Sequence, residues 1–457
     1  MSRLICRVFA ANSLAMLGAA GGPASVPPTY HRDVEPILQK HCQDCHRPGQ
    51  VAPFSLLDFR QASKRAADIA SVTSDRVMPP WHASTTQGGP FRDPRVLNED
   101  EIRTLARWSE AGAPEGDPGE APTPRSFSSA WPLGEPDLVL TPAEPYTIGP
   151  EGEDEFRVFV VPSGLTEGRW ISAIDYRPGN AKVVHHVLGA FDTTGRARVL
   201  DQAEPGVGYK TFSGFGNLPG GLPFVPAGGL SGWAPGKSPR PLPVGVGRFL
   251  PAGSDVLLQV HYHRTGKPER DATSVALYFS KTPVEKVVRT PMILPPTGLL
   301  GLPKLAIPVG DADHEVRGTF TVAYDAHAIA VVPHMHWLGK DFRLEATRPD
   351  GTKQTLIRID RWDFNWQDTY DFADQPRLPK GTVVEMVAHF DNSASNPSNP
   401  SKPPIAVRWG EQTQNEMCIA FLQLTRDDER LENLPPIKFR SPASPRSETA
   451  AAPAKGD

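Results

Sequence analysis

From Asp137 onward the chain is cut into short segments in which apolar and polar residues alternate, and nothing in that stretch repeats with the period of a helix. Phe156 to Val161, Val256 to Tyr262, Val316 to Tyr324 and Val383 to Phe390 are examples. Successive side chains on a strand point to opposite faces, so these segments read as half-buried antiparallel strands. The 50 prolines and 40 glycines are spread along the chain, as many strands joined by turns require. A chain of 457 residues is too long for one hydrophobic core, and roughly three domains are expected. About 300 residues of strand pattern exceed what one sandwich needs. Two antiparallel β-sandwiches are therefore expected, over 135–283 and 284–440, with the join near Thr282 to Pro303.

The front of the chain differs. Val34, Ile37 and Leu38 mark an amphipathic helix, and Asn98-x-x-Glu101 caps a second one carrying Ile102, Leu105, Ala106 and Trp108 on one side. Between them runs Cys42-Gln43-Asp44-Cys45-His46. Two thiols one helical turn apart can reach both vinyl groups of one porphyrin, and the following histidine becomes the proximal iron ligand. Small c-type cytochromes look like this, so 28–118 is expected to be a helical domain carrying one covalently attached heme c. In Arg76-Val77-Met78-Pro79-Pro80-Trp81, Met78 is the favoured sixth ligand, with His82 and His41 ranked behind it. The Pro/Gly/Glu-rich stretch that follows, through 119–134, reads as a semi-rigid linker.

A net charge of −4, with no basic cluster interleaved with aromatics, excludes nucleic acid as an expected partner. Residues 1–25 carry Arg3 and Arg7, an apolar run from Val8 to Ala20 and a small-residue end, the pattern of a secretory signal peptide. An exported protein, periplasmic or secreted, is expected, and no later run is apolar for 18 or more residues, so no membrane span is. With Cys6 in the leader and Cys42 and Cys45 claimed by heme, Cys418 stands alone and no disulfide framework is available. The glycine-rich stretch Gly216 to Gly236 lacks the strand, Gly-x-Gly-x-x-Gly and helix order of a phosphate cradle and reads as a flexible loop. Gly-x-Ser-x-Gly and His-Glu-x-x-His are absent, so hydrolysis is not indicated. The segment 441–457 is expected to be disordered.

The remaining histidines are grouped. His334-x-His336 on a strand puts two imidazoles on one face, able to grip one ion. His185-His186 would point to opposite faces of an ideal strand, so a shared metal there needs a twist or a strand end. Spacing also pairs His261 with His263, while His31, His314 and His327 read as ordinary hydrogen-bonded residues and His389 stays open between that role and support of a metal ligand.

Val184-His185-His186-Val187, Leu258-Gln259-Val260-His261-Tyr262, His334-Met335-His336-Trp337-Leu338-Gly339-Lys340 and Asn415-Glu416-Met417-Cys418 resemble, in order and spacing, the ligand motifs of the copper type II, ascorbate-dependent monooxygenases. That superfamily includes the peptidylglycine α-hydroxylating and dopamine β-monooxygenases, each built from two jelly-roll sandwiches, and the cytochrome at the front is similar to its bacterial members. The resemblance covers most of 135–430. It implies an electron-transfer copper on His185, His186 and His261, and an oxygen-activating copper on His334, His336 and Met417. The thioether suits Cu(I). His263 is then left beside the ligands, and Gln259 supports a substrate or water path between the coppers. The implied reaction is hydroxylation of a C–H bond with O2, electrons arriving through heme from a periplasmic donor, with ascorbate as an alternative reductant. Where peptide-acting members carry an arginine, an asparagine and a tyrosine, this chain has Val332, Ile419 and Phe421. A small-molecule or apolar substrate is implied instead. The rival reading is a heme and copper electron carrier or redox sensor without hydroxylase activity.

Overall fold

A computed structural model describes residues 26–127, 131–211, 214–219, 221–298, 303–412 and 414–431. The expected leader and disordered tail lie outside the described residues. Helices α1 (Glu35–His41), α2 (Ala66–Ser74) and α3 (Glu99–Glu110) form the front of the chain. At the start of α3 the Asn98 side chain accepts from the Glu101 amide and Glu101 accepts from the Asn98 amide, both at 2.9 Å. This reciprocal cap satisfies two amides that a helix N-terminus otherwise leaves unpaired. One stripe of α3, Ile102, Leu105 and Trp108, packs with Tyr30, Val34 and Leu38 in a small core of its own.

Not all of 28–118 belongs to that core. Strand β1 (Ala83–Gly88) leaves the helices and pairs with a strand of the C-terminal sandwich, Ala83 opposite Ile359. Ala83 is buried there, and Trp81 and Phe91 pack on the same core. The expected single helical unit is thus interrupted by an edge strand lent to another domain. The polar Ser84 to Gln87 run hid it, because a solvent-facing edge strand needs no apolar alternation.

The first sandwich is built from β2 (Glu155–Pro162), β3 (Arg169–Arg177), β4 (Val184–Asp192), β5 (Gly228–Trp233), β6 (Val246–Leu250), β7 (Asp255–Tyr262) and β8 (Ser274–Phe279). One sheet runs β2-β7-β4-β5 and the other β6-β3-β8, each extended by short strands and antiparallel along these pairs. Val256, Leu258, Val260 and Tyr262 of β7 face the core between the sheets, against Ile171 of β3 and Val275 of β8. The intervening Leu257, Gln259 and His261 are also buried, on the opposite face. Strand β5 lies within the stretch expected to be a loop. Its glycines hide the strand pattern, and pairing along β4 imposes the extended backbone.

The second sandwich comprises β9 (His314–Thr321), β10 (Ala326–Met335), β11 (Gly339–Thr347), β12 (Lys353–Ile359), β13 (Val383–Phe390) and β14 (Cys418–Arg426). Its sheets are β1-β12-β11-β13-β9 and a sheet centred on the β14-β10 pair. Met335, Phe342, Leu344, Met386, Cys418 and Leu422 meet between them, and the Cys418 thiol contacts the Met386 sulfur at 3.8 Å. The chain is therefore a predominantly antiparallel β-sandwich protein of several domains. Among the described residues no helix is long and apolar enough to cross a membrane.

Candidate metal centres

The register of β4 on β7 resolves the difficulty posed by adjacent histidines. His261 lies opposite His186, but Tyr262 lies opposite Val184, so His185 is the extra residue of a β-bulge. A bulge re-aims one side chain, and here it turns His185 to the face already carrying His186 and His261. The three rings converge. His185 Nδ1 lies 3.2 Å from His261 Nδ1 and 3.3 Å from His186 Nδ1, and one nitrogen from each ring falls within 4.8 Å of the others. Burial first, and then neighbouring His261, hold His185 down to about 3 and His186 well below the ordinary imidazole range. Neutral imidazoles whose lone pairs point at one spot are metal donors. The third ring is fixed from behind: His261 Nε2 meets Asp154 Oδ2 at 3.0 Å, and Phe156, its cross-strand partner, stacks on it at 4.1 Å. His263, by contrast, is exposed and outside the triad.

The second cluster uses the opposite tautomer. His334 Nδ1 bonds Gln367 Oε1, and His336 Nδ1 donates to the Asn415 carbonyl at 3.0 Å. Carbonyl oxygens only accept, so both rings carry hydrogen on Nδ1 and present Nε2. Burial lowers His334, and burial with neighbouring His334 holds His336 down to about 3. The ring centroids stand 5.2 Å apart. Register places His334 opposite Ile419 and Met335 opposite Cys418; His336 directly follows β10 and Met417 directly precedes β14, at the same end of the pair. Met335 points into the core, as alternation requires. Glu416 ties the ends of the two strands together, accepting from the amides of His336 at 2.8 Å, Leu338 at 2.6 Å and Met417 at 3.2 Å.

The two clusters face each other across one ring. Phe364 stacks on His185 with centroids 5.2 Å apart and meets His336 edge-on at 5.5 Å, which keeps those two imidazoles within about 11 Å. Phe364, Gln367 and Trp362, whose indole donates to the His336 carbonyl at 3.1 Å, all belong to the loop after β12. Sequence reasoning missed this loop. Three aromatics within Trp362 to Trp366, in a segment too polar for a strand, were its only signal. The loop also holds the first sandwich: Trp366 lies on Gly236, at a left-handed φ of 83°, where an added Cβ would come within 3.2 Å of the indole. His82 is partly buried, and burial lowers it below the ordinary imidazole range.

Gln259 lies two residues from His261 on the same buried face, its amide donating to the Gly214 carbonyl. In the helical unit, His46 Nδ1 donates to the Phe54 carbonyl at 3.2 Å, leaving Nε2 for a ligand. Burial pushes the Cys42 thiol up to about 12 and raises Cys45, so neither is a ready thiolate. Met78 is partly buried just beyond α2, its amide on the Val72 carbonyl. His31 pairs with Glu35, His314 with Asp311, His327 with Asp427, and His389 with Asp341.

Two results are expected at the triad. Asp154→Asn removes the charge behind His261 and should weaken metal binding there by about 10 to 100-fold, read by competition with a chelator. The metal-free chain should lose stability as pH falls from about 6.5 to 3. Unfolded imidazoles take up protons from about 6.5 downward, whereas folded His185 and His336 refuse them until about 3. A wild-type urea midpoint that shifts between pH 7 and pH 4 in parallel with that of a His185→Phe, His336→Phe chain would contradict this.

No family model matches the chain, and no curated protein does. Among solved structures, one titled PNGF-II in P21 space group is 11% identical with a TM-score of 0.25, covering 63% of this chain and 65% of that one. The chain therefore spans just under two thirds of that structure's length. The infectious bursal disease virus Gx strain structure is 8% identical with a TM-score of 0.18, over 67% and 76%. A Paenibacillus xanthan lyase structure is 10% identical with a TM-score of 0.15, over 67% and 28%. Likenesses this weak carry no argument about fold or activity.

Proposed function

We propose that the chain is an exported, heme- and copper-dependent monooxygenase that converts a C–H bond of a small or apolar substrate to C–OH. The balance is one O2, two electrons and two protons in, and hydroxylated product and one water out. The observation that carries this reading is the meeting of two unlike histidine clusters, one from each sandwich, across Phe364. Copper, where bound by His185, His186 and His261 and by His334, His336 and Met417, would supply single-electron and oxygen chemistry, and a heme, with Cys42, Cys45, His46 and Met78 as the residues that would hold it, would supply electrons one at a time.

The rest falls to the polypeptide. Asp154, Gln367 and the Asn415 carbonyl fix ring orientation, so ligand nitrogens are aimed before any ion arrives. Phe364 stands between the clusters, in ring contact with His185 and His336. Along the face carrying His334 and His336, Val332 lies opposite Phe421 and His334 opposite Ile419. These apolar side chains offer no charged partner for a peptide carboxylate, and a substrate without one fits them.

The test uses the full chain, matured with heme and loaded with copper, under 18O2 with a one-electron reductant and a panel of small apolar compounds. Labelled product that disappears in Met417→Ala is expected. Reductant oxidised at the same rate in wild type and Met417→Ala, with no labelled product, would make the chain an electron carrier instead.

A further inference from the structure

A cavity of about 80 Å3 lies where the helical unit and both sandwiches meet. At about 10–15 Å3 per water, this holds several waters or one tetrahedral oxyanion. Four cationic side chains line it, Arg95, Lys237, Arg240 and Arg248, against two carboxylates, Asp368 and Asp371. Both carboxylates are already engaged: Arg95 pairs with Asp368 at 2.6 Å and Arg240 with Asp371 at 2.9 Å. That leaves Lys237 and Arg248. Lys237 Nζ donates to the Gly232 carbonyl, and an Arg248 Nη reaches the Gln423 amide oxygen at 3.3 Å. Both acceptors are neutral, and among the described residues neither cation is within ion-pair distance of a carboxylate. Desolvation lowers Lys237 against the opposing pull of Asp368 and Asp371, and takes Arg248 down to about 10.

Cations without an ion-pair partner in a partly buried site are costly, and a small anion from solution removes the cost. We propose that this junction cavity binds one small oxyanion, phosphate-like or carboxylate, between Lys237 and Arg248 of the first sandwich, beside the contacts that join this sandwich to Arg95 and Asp368. The site uses no residue of either histidine cluster, so it stands or falls independently of the metals. Its neighbourhood gives it a consequence. Arg95 also donates to the Pro80 and Gly236 carbonyls, and its partner Asp368 follows Gln367, which orients His334. An anion that steadies this junction steadies the loop under the second cluster.

The experiment is thermal unfolding of the full chain in phosphate, sulfate or acetate against chloride at equal ionic strength. A ligand bound only by the folded state raises the midpoint with concentration, and a rise of about 3 °C or more is expected at saturation in at least one oxyanion. Whether phosphate and sulfate or acetate is the stronger identifies the ligand class. The double substitution Lys237→Met and Arg248→Met should abolish the response while leaving the midpoint in chloride unchanged or higher, since the desolvated charges it removes are hydrogen-bonded only to neutral acceptors. A wild-type midpoint indifferent to all three oxyanions overturns the proposal, and so does a response that survives the double substitution.

Discussion

Replacing His336 by alanine is expected to cut the copper retained after loading and desalting from two ions per chain to one, and to lower hydroxylation by at least about a hundredfold. That factor is the upper end of what losing a group behind a ligand costs, and His336 is proposed as a ligand itself. The substitution separates the clusters because their supports are separate. His185, His186 and His261 hang on the β4-β7 pair with Asp154 behind them, whereas His336 is oriented by Asn415 and Glu416 at the β10-β14 end. The triad should therefore keep its ion and chelator affinity. Elemental analysis gives the count, and labelled product gives the rate. Retention of both ions in His336→Ala would mean that the strand end carrying His334 does not hold a metal, and the monooxygenase proposal would fall with it.

How much of this was legible in the sequence depends on what each pattern encodes. Alternation reports which side chains share a face, so His334 and His336 could be paired from spacing alone. It reports nothing about an inserted residue. The bulge at His185 is a property of register against β7, and no pattern within Val184 to Val187 announces it. Nor does it report which outer faces meet. Phe364 and Gln367 act through a loop with no period, and they reach His185 and His334 only because two sandwiches are apposed. Asp154 was equally silent, being an acidic residue in a turn-rich stretch until β7 places His261 beside it. Cap chemistry, being local, was read correctly at Asn98 and Glu101. Strands β1 and β5 show the converse: polar or glycine-rich segments become strands because a neighbour supplies the pairing.

Glu416→Ala is expected to produce the largest loss of stability of any single change at the second cluster, about 3 to 6 kcal/mol. Glu416 is fully buried, and its carboxyl oxygens accept from three backbone amides, those of His336, Leu338 and Met417. Alanine leaves all three without that acceptor, and each orphaned buried amide costs about 1–3 kcal/mol, less whatever water enters the space. Against a margin of about 5–15 kcal/mol, that is a large share of the fold. Glu416→Gln keeps one oxygen acceptor and should fall between alanine and wild type. Acidity sharpens the comparison. Burial pushes Glu416 up to about 8 even though the three amides favour its charged form, so the folded chain holds this proton over a range where the unfolded chain has released it. Stability from this group is fully present below about 4.5 and is lost as pH rises through about 8. The metal-free wild type should therefore weaken between pH 6 and pH 9 more than Glu416→Gln, which has no proton to lose. Urea midpoints for the two proteins that run parallel across that interval would show that the carboxylate is already ionised in the fold, with the amides outweighing burial.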